Sequence, residues 1–297
     1  MAKKRGVQNH EAEKLTLKNG LTFEAGGTEV EIVVDQQLAT VYLDTYESSS
    51  INLLDPTLLE FEYMQQMTAA IDAFLPGRPL EALHLGGAAC ALPLAWHHLR
   101  PGSKQTVVEL NEQLSTAMRE LFDLPRAPHL KIREGEAFQE LQTMRPKRFD
   151  VLVRDVFTGA HTPTPLRTLE FYQKAHEVLR PGGLLLVNCV HGGGGDDARN
   201  DLSAALAVFN HVSTITEGRI FTGGRRGNVV IAAYKPADPD DDVALRWSEL
   251  QRLIRRLPLT PRYFSKKDSA HWARNAPILG YRPLSVSIDC TFVWCGE

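Results

Sequence analysis

Three things are scarce in this 297-residue chain, and each scarcity removes a class of function. No apolar run approaches the roughly 18 residues that a membrane-spanning helix needs, and the polar start MAKKRGVQNHEAEK leads into no apolar signal segment. A soluble, cytoplasmic protein with no membrane partner is the expectation. A basic block is also missing: 33 Lys and Arg stand against 36 Asp and Glu, for a net charge of -3. Nucleic-acid binders usually show a Lys/Arg-rich face, so no nucleic-acid partner is expected and a small-molecule ligand is. Cysteine is sparse too, since Cys90, Cys189, Cys290 and Cys295 lack C-x-x-C spacing and are too few to staple a chain of this length. Reduced thiols and no metal site follow as expectations.

What is present reads as an α/β protein. After a flexible tail over residues 1–14, residues 15–54 alternate apolar and polar positions and break at Asn19-Gly20 and Gly26-Gly27, which predicts a small N-terminal antiparallel β unit. Asp55-Pro56-Thr57 is expected to open a helix running through LLEFEYMQQMTAAIDAFL, ended by the Pro-Gly-Arg-Pro stretch at 76–79. From there to about residue 236, LEALHLG, QTVVEL, HLKIREG, FDVLVRDV and GLLLVNCV alternate with helical segments. Such alternation predicts a Rossmann-like, methyltransferase-type sheet, mostly parallel, with helices on both faces. VSTIT and NVVIAAY, joined by EGRIFTGGRRG, predict an antiparallel hairpin at one edge. Residues 237–297 hold the acidic linker ADPDDD, the amphipathic helix VALRWSELQRLIRRL and a tail of mixed pattern, all expected to pack on the main domain.

Ligands of open α/β sheets sit beyond the carboxyl ends of the strands. The first strand ends in Gly86-Gly87 and the second in Glu109, about 20 residues on, where a carboxylate can accept both hydroxyls of a ribose. A complete G-x-G-x-x-G is absent, which favours an S-adenosyl compound over a dinucleotide because it needs no phosphate cradle. The third strand ends in REGEAF, placing Glu136 within reach of an adenine amino group. The fourth carries Asp150 before its apolar core, a structural position, and Asp155 at its carboxyl end, before a loop rich in Gly, Thr and Pro that suits a lid. Asp155 there serves as a general base or as a partner for a cationic substrate, against the plainer role of capping a turn.

The ordered set LEFEYMQQM, LHLGG, VVELN, GEAF, RDVFTGAHTPTPLRTLEFY, VLRPGGLLLVN and GNVVIAA resembles the spermidine synthases, the polyamine aminopropyltransferases, over roughly residues 20 to 235. The resemblance implies decarboxylated S-adenosylmethionine as co-substrate, with no tightly bound cofactor, and attack by a polyamine amine with release of methylthioadenosine. It assigns the ribose to Glu109, the adenine to Glu136 and Ala137, the attacking amine to Asp155, and the polyamine channel to Tyr63. A homodimer is expected, because a small β unit gains buried apolar area by pairing with a second copy.

The departures are specific. The family's GGGDGG turn reads Gly86-Gly87-Ala88-Ala89-Cys90-Ala91, with Ala89 where an aspartate grips the aminopropyl ammonium. The gate D-S/T-S/T-D-P reads Asp155-Val156-Phe157-Thr158-Gly159 and loses its second acid, and the His-Glu pair after the tyrosine is Met64-Gln65. A buried ammonium without a charged partner costs several kcal/mol, so a divergent spermidine-synthase-like branch is implied, its acceptor unsettled. Two other readings stay open: a methyltransferase using ordinary S-adenosylmethionine, and a non-catalytic nucleoside-binding relative. Elsewhere, adjacent His97 and His98 face different directions on a helix and do not make one metal site. His161 reads as a loop residue, Cys90 as packing, and HGGGGDDARN with Asp196 and Asp197 as a mobile rim. Arg225 and Arg226 suit either an anion or a water-exposed hairpin tip.

Overall fold

The computed structural model describes residues 15–192, 197–259 and 261–281. The tail expected at 1–14, Asp196, Cys290, Cys295 and residues 282–297 lie outside the described residues.

The first alternating stretch forms β1 (Leu21–Ala25), β2 (Thr28–Asp35), β3 (Leu38–Leu43) and β4 (Tyr46–Asn52), an antiparallel sheet in that order. Successive strand side chains point to opposite faces, so Val30, Ile32, Ala39 and Val41 are buried while their neighbours are not. Gly26 and Gly27 turn the chain at φ +54° and +82°, backbone that glycine adopts without steric cost. That turn also docks the small sheet: the Gly26 amide donates to Gln113 Oε1 (2.8 Å) and Asn111 Nδ2 donates to the Ala25 carbonyl (2.8 Å).

The helix expected from Asp55 begins later, as α1 (Glu62–Phe74). Asn52 Oδ1 accepts the amides of Leu54 and Asp55, and Asp55 Oδ1 accepts the amide and hydroxyl of Thr57. Short polar side chains that bond nearby backbone stabilise turns in competition with helix, and here two in succession delay α1.

Parallel strands β5 (Glu81–Leu85), β6 (Lys104–Glu109), β7 (Leu130–Glu134), β8 (Phe149–Arg154) and β9 (Leu179–His191) alternate with α2 (Ala91–Leu99), α3 (Glu112–Leu121), α4 (Ala137–Thr143) and α5 (Leu169–Val178). Then come α6 (Ala198–Val208), β10 (His211–Thr216), short α7 (Gly218–Phe221), β11 (Gly227–Lys235), α8 (Val243–Ile254), β12 (Arg262–Phe264) and α9 (Lys266–Trp272). The sheet order is β12-β10-β11-β9-β8-β5-β6-β7, with β11 antiparallel to β9. The antiparallel hairpin is present, yet it does not form the edge: β12, from the tail of mixed pattern, pairs outside β10. Three residues are too few to show a period in sequence.

Alternate residues of the central strands feed two separate cores, Ala82, Val151 and Val153 on one face, Leu83, Leu85 and Leu152 on the other. This two-sided burial is why those strands read as continuous apolar runs. The chain proceeds from β5 to β6 and β7 on one side, then crosses to β8 and β9 on the other. The carboxyl ends of β5 and β8 therefore form the switch point at which such sheets open a crevice.

One buried charge cluster pins the far wall of that crevice. Arg154 is fully buried, donates to the carbonyls of Leu166 (2.8 Å) and Asn188 (3.1 Å), and pairs with Asp201 of α6. Asp201 also accepts from Arg167 Nε (2.9 Å) and the Tyr172 hydroxyl (3.0 Å). Removing its carboxylate leaves buried guanidinium charge uncompensated. Asp201→Ala is expected to cost about 3–5 kcal/mol, seen as a lower urea midpoint at unchanged slope.

Candidate active site at the carboxyl ends of the central strands

The turn after β5 is built on the absence of side chains at two positions. A Cβ on Gly86, at φ +87°, would lie 2.1 Å from the Asp155 carbonyl oxygen, and one on Gly87 would lie 2.6 Å from Val107 Cγ1. Both glycines let the chain pass against the ends of its neighbouring strands. Glu109, at the end of β6, ties the turn down: its Oε2 accepts the amides of Gly87 (3.0 Å) and Ala88 (3.1 Å), and its Oε1 accepts the Asn111 amide (3.1 Å). The next residues are strained, since Ala88 and Cys90 hold φ +41° and +59°, a region that costs a residue with a Cβ roughly 1–2 kcal/mol. Cys90 is buried, with its thiol pushed up to about 12 by burial and then by Glu109, so it is a packing residue and no nucleophile at neutral pH. Ala89 is fully buried and outside the cleft lining, whereas Ala88 and Ala91 face the cleft.

Glu136 is the N-cap of α4, where its two oxygens accept the amides of Phe138 (3.0 Å) and Gln139 (2.8 Å). Ala137 is the first residue of that helix and lines the cleft with it. Across the switch point, the Asp155 amide donates to the Leu85 carbonyl (2.9 Å), which fixes the backbone of the residue directly after β8. Its carboxylate is half-buried and accepts the Tyr63 hydroxyl at Oδ2 (2.8 Å) and Asn188 Nδ2 at Oδ1 (2.9 Å). Three elements thus meet on one carboxylate: α1, β8 and β9.

Burial raises the Asp155 pKa, while the bonds from Asn188 and Tyr63 and the charge of Arg154 pull it down without cancelling the rise. The Tyr63 hydroxyl is held well above its ordinary value by burial and by the adjacent carboxylate, so it stays a donor.

These residues line a cavity of about 1130 Å³ that also takes in the small N-terminal sheet. Asp44, Glu47, Glu60, Glu62, Glu109, Glu112, Glu134, Glu136 and Asp155 line it, against Arg226 as the one Lys or Arg among the described lining residues. Such a cleft favours a cationic ligand. The loop after Asp155 forms part of the wall: the Thr158 amide donates to the His161 carbonyl (2.8 Å), and Gly159 approaches the ring of Tyr46. Of the altered family positions, Met64 lines the cleft, while Gln65 turns back to bond the Leu59 carbonyl (2.7 Å). Asp150 lies at the opposite end of β8, accepting the Glu81 amide and pairing with Arg78 and Arg180. His97 and His98 lie apart from this cavity, with ring centroids 5.3 Å apart, and no group of three His, Cys, Asp or Glu among the described residues is placed to hold a metal.

Sequence reading missed Asn188. Its only signal is a lone polar residue inside the run LLLVNCV, near the carboxyl end of a strand. Arg154, Asp201 and Arg167, which hold the wall behind Asp155, gave no signal because their partners lie 12 to 47 residues away.

No protein-family model matches the chain. A solved structure of a probable spermidine synthase from Corynebacterium glutamicum superposes with a TM-score of 0.82 and 29% identity, over 92% of this chain and 100% of that one. The polyamine aminopropyltransferase of Neisseria meningitidis serogroup A is 25% identical over 229 residues, 74% of this chain and 81% of its own length. An N-terminal histidine N-methyltransferase from Emericella nidulans is 33% identical over 89 residues, 29% of this chain; the match spans only 16% of that protein. Fold and site together define a methyltransferase-type sheet carrying a small N-terminal β-sheet. The chain stands on a divergent, spermidine-synthase-like branch of that class.

Two outcomes check the site geometry. Gly86→Ala is expected to cost about 1–3 kcal/mol by forcing the backbones apart, whereas Ala88→Gly, which relieves left-handed strain, is expected to gain about 0.5–1 kcal/mol in thermal unfolding. Carboxyl carbon NMR should find Asp155 titrating above the ordinary carboxylate range, and Tyr63→Phe, which removes a donor to the carboxylate, should raise it further. Since the folded state binds this proton more tightly than the unfolded chain, stability from this group is present below the ordinary range and declines as pH rises through the raised value.

Proposed function

We propose that the chain is an aminopropyltransferase that moves the aminopropyl group of decarboxylated S-adenosylmethionine to an amine acceptor. The observation that carries this reading is the half-buried Asp155 carboxylate, held by Tyr63 and Asn188 at the switch point and opposite a glycine turn tied to Glu109. The acid-lined cleft supports it as well, because the donor is a sulfonium with an ammonium tail.

Glu109 already holds three amides, and a carboxylate offers about four acceptor sites. A ribose diol would take the remaining site and compete with the longest of these bonds. Glu136 keeps acceptor capacity on both oxygens while capping α4, enough for an adenine amino group, with Ala137 beside it. Asp155 takes a proton from the acceptor ammonium, and the upward shift that burial gives its pKa makes it a stronger base than an ordinary carboxylate. The freed nitrogen lone pair attacks the carbon next to sulfur. A C–N bond forms, the C–S bond breaks with its electron pair going to sulfur, and neutral methylthioadenosine leaves. Tyr63 and Asn188 hold Asp155 in place throughout.

A second reading, methyl transfer from intact S-adenosylmethionine, is favoured by one observation. The turn after β5 presents the methyls of Ala88 and Ala91 to the cleft, and Ala89, which stands where the resemblance has the aspartate that grips the aminopropyl ammonium, is buried outside it, so no side chain of this turn repels a donor carboxylate. The same proposal includes a cytoplasmic homodimer, with residues 15–54 as the pairing unit and 55–236 as the catalytic domain; light scattering that gives a monomer mass at working concentration removes the dimer.

The test is chromatographic. Incubated with decarboxylated S-adenosylmethionine and a panel of amines, the protein should release methylthioadenosine, and Asp155→Asn should slow this by about 10²–10⁴-fold with methylthioadenosine affinity retained. Unchanged turnover in that variant, or S-adenosylhomocysteine formed from the intact donor, overturns the reading.

A further inference from the structure

The adjacent arginines between α7 and β11 have different surroundings. Arg225 pairs with Glu217 at 2.8 Å on the surface. Arg226, exposed at the mouth of the cleft, lines it and has no ion-pair partner among the described residues.

Its place in the sheet gives this cation a direction. β11 lies beyond β9 from β8, and in the ladder Val230 pairs with Asn188, Asn228 with Val190 and Gly227 with His191. Adjacent strands stand about 4.8 Å apart, so the start of β11 is roughly 10 Å across the sheet from the strand that carries Asp155. The side of the cleft over β5, β6 and β7 carries Glu109, Glu134 and Glu136. The flank over β9 and β11 carries Asn188, Val190, Asn228 and Arg226, with no carboxylate among its described lining residues. Among the residues that the sheet itself brings to the cleft, acid therefore lies on the nucleoside side and one guanidinium on the other, while Asp44, Glu47, Glu60 and Glu62 come from the small N-terminal sheet and the approach to α1.

A second ammonium entering that flank would meet like charge and no acid among the described lining residues of β9 and β11, a contact that selects against it. A carboxylate would meet a planar donor fork that matches it. Next to Asp155, the buried Asn188 Oδ1 has no hydrogen-bond partner and offers an acceptor to an incoming N–H. We propose that the acceptor is an aminocarboxylate, its nitrogen at Asp155 and Asn188 and its carboxylate at Arg226, and not a simple polycation. This rests on the transferase reading above and specifies the acceptor class.

The test compares 6-aminohexanoate with 1,6-diaminohexane, of similar length and different end charge. Each is titrated calorimetrically into the wild type, Arg226→Gln and Arg226→Lys, with and without methylthioadenosine. The wild type is expected to bind the aminocarboxylate more tightly than the diamine. Arg226→Gln should weaken it about tenfold, the scale of one charge-assisted contact, and Arg226→Lys should keep most of the preference. Tighter binding of the diamine by wild type, an unchanged ratio in Arg226→Gln, or binding of neither amine overturns the proposal. Failure of methylthioadenosine to bind counts against the transferase reading alone, because the amine titrations are also read without it.

Discussion

A carboxylate held half-buried at the end of a central strand needs donors that stabilise its charge without cancelling its basicity. Asp155 receives two, a phenol from α1 and an amide from β9, and neither carries a formal charge. Much of the architecture serves that arrangement. The absent side chain at Gly86 lets β5 lie against the Asp155 backbone, and the Arg154 cluster fixes Asn188 from behind through its carbonyl. Burial and neutral donors then set the proton affinity, with Arg154 adding a moderating field from the core side.

The turn that faces Asp155 is held by a different logic. In a glycine-rich turn the left-handed backbone is free of cost, yet here Ala88 and Cys90 occupy it. The turn persists because Glu109 binds two of its amides and the methyl of Ala89 is buried beneath it. Strain at such a place survives only where its surroundings over-determine it. The turn thus holds its left-handed course without the acid that the resemblance places there.

Loss of carboxylates by family position does not make the cleft neutral. Acids from the small N-terminal sheet, Asp44 and Glu47, and from the approach to α1, Glu60 and Glu62, also line it. Glu60 and Glu62 lie within LEFEYMQQM itself, whereas Asp44 and Glu47 belong to the small sheet, so a comparison confined to the altered motif positions counts the losses and overlooks these. The sorting of charge across the sheet, with Arg226 the one charged residue on its flank among the described lining residues, is likewise visible only once strand order is known.

The sequence by itself determined the fold class, because apolar runs separated by helical segments admit few arrangements besides a doubly covered parallel sheet. It also located Gly86, Gly87, Glu109, Glu136 and Asp155 at strand ends, since strand ends in a parallel sheet are read directly from where each apolar run stops. The start of α1 was misread, because Pro and Asp signal turn and helix entry alike and only the bonds of Asn52 and Asp55 decide between them. Strand β12 escaped for want of length. Tertiary structure alone decided that Tyr63 and Asn188 meet on Asp155, 92 and 33 residues away along the chain, and that Arg226 turns toward the cleft while Arg225 does not. Such contacts depend on strand order and helix placement, and no local pattern of residues encodes a distance across a sheet.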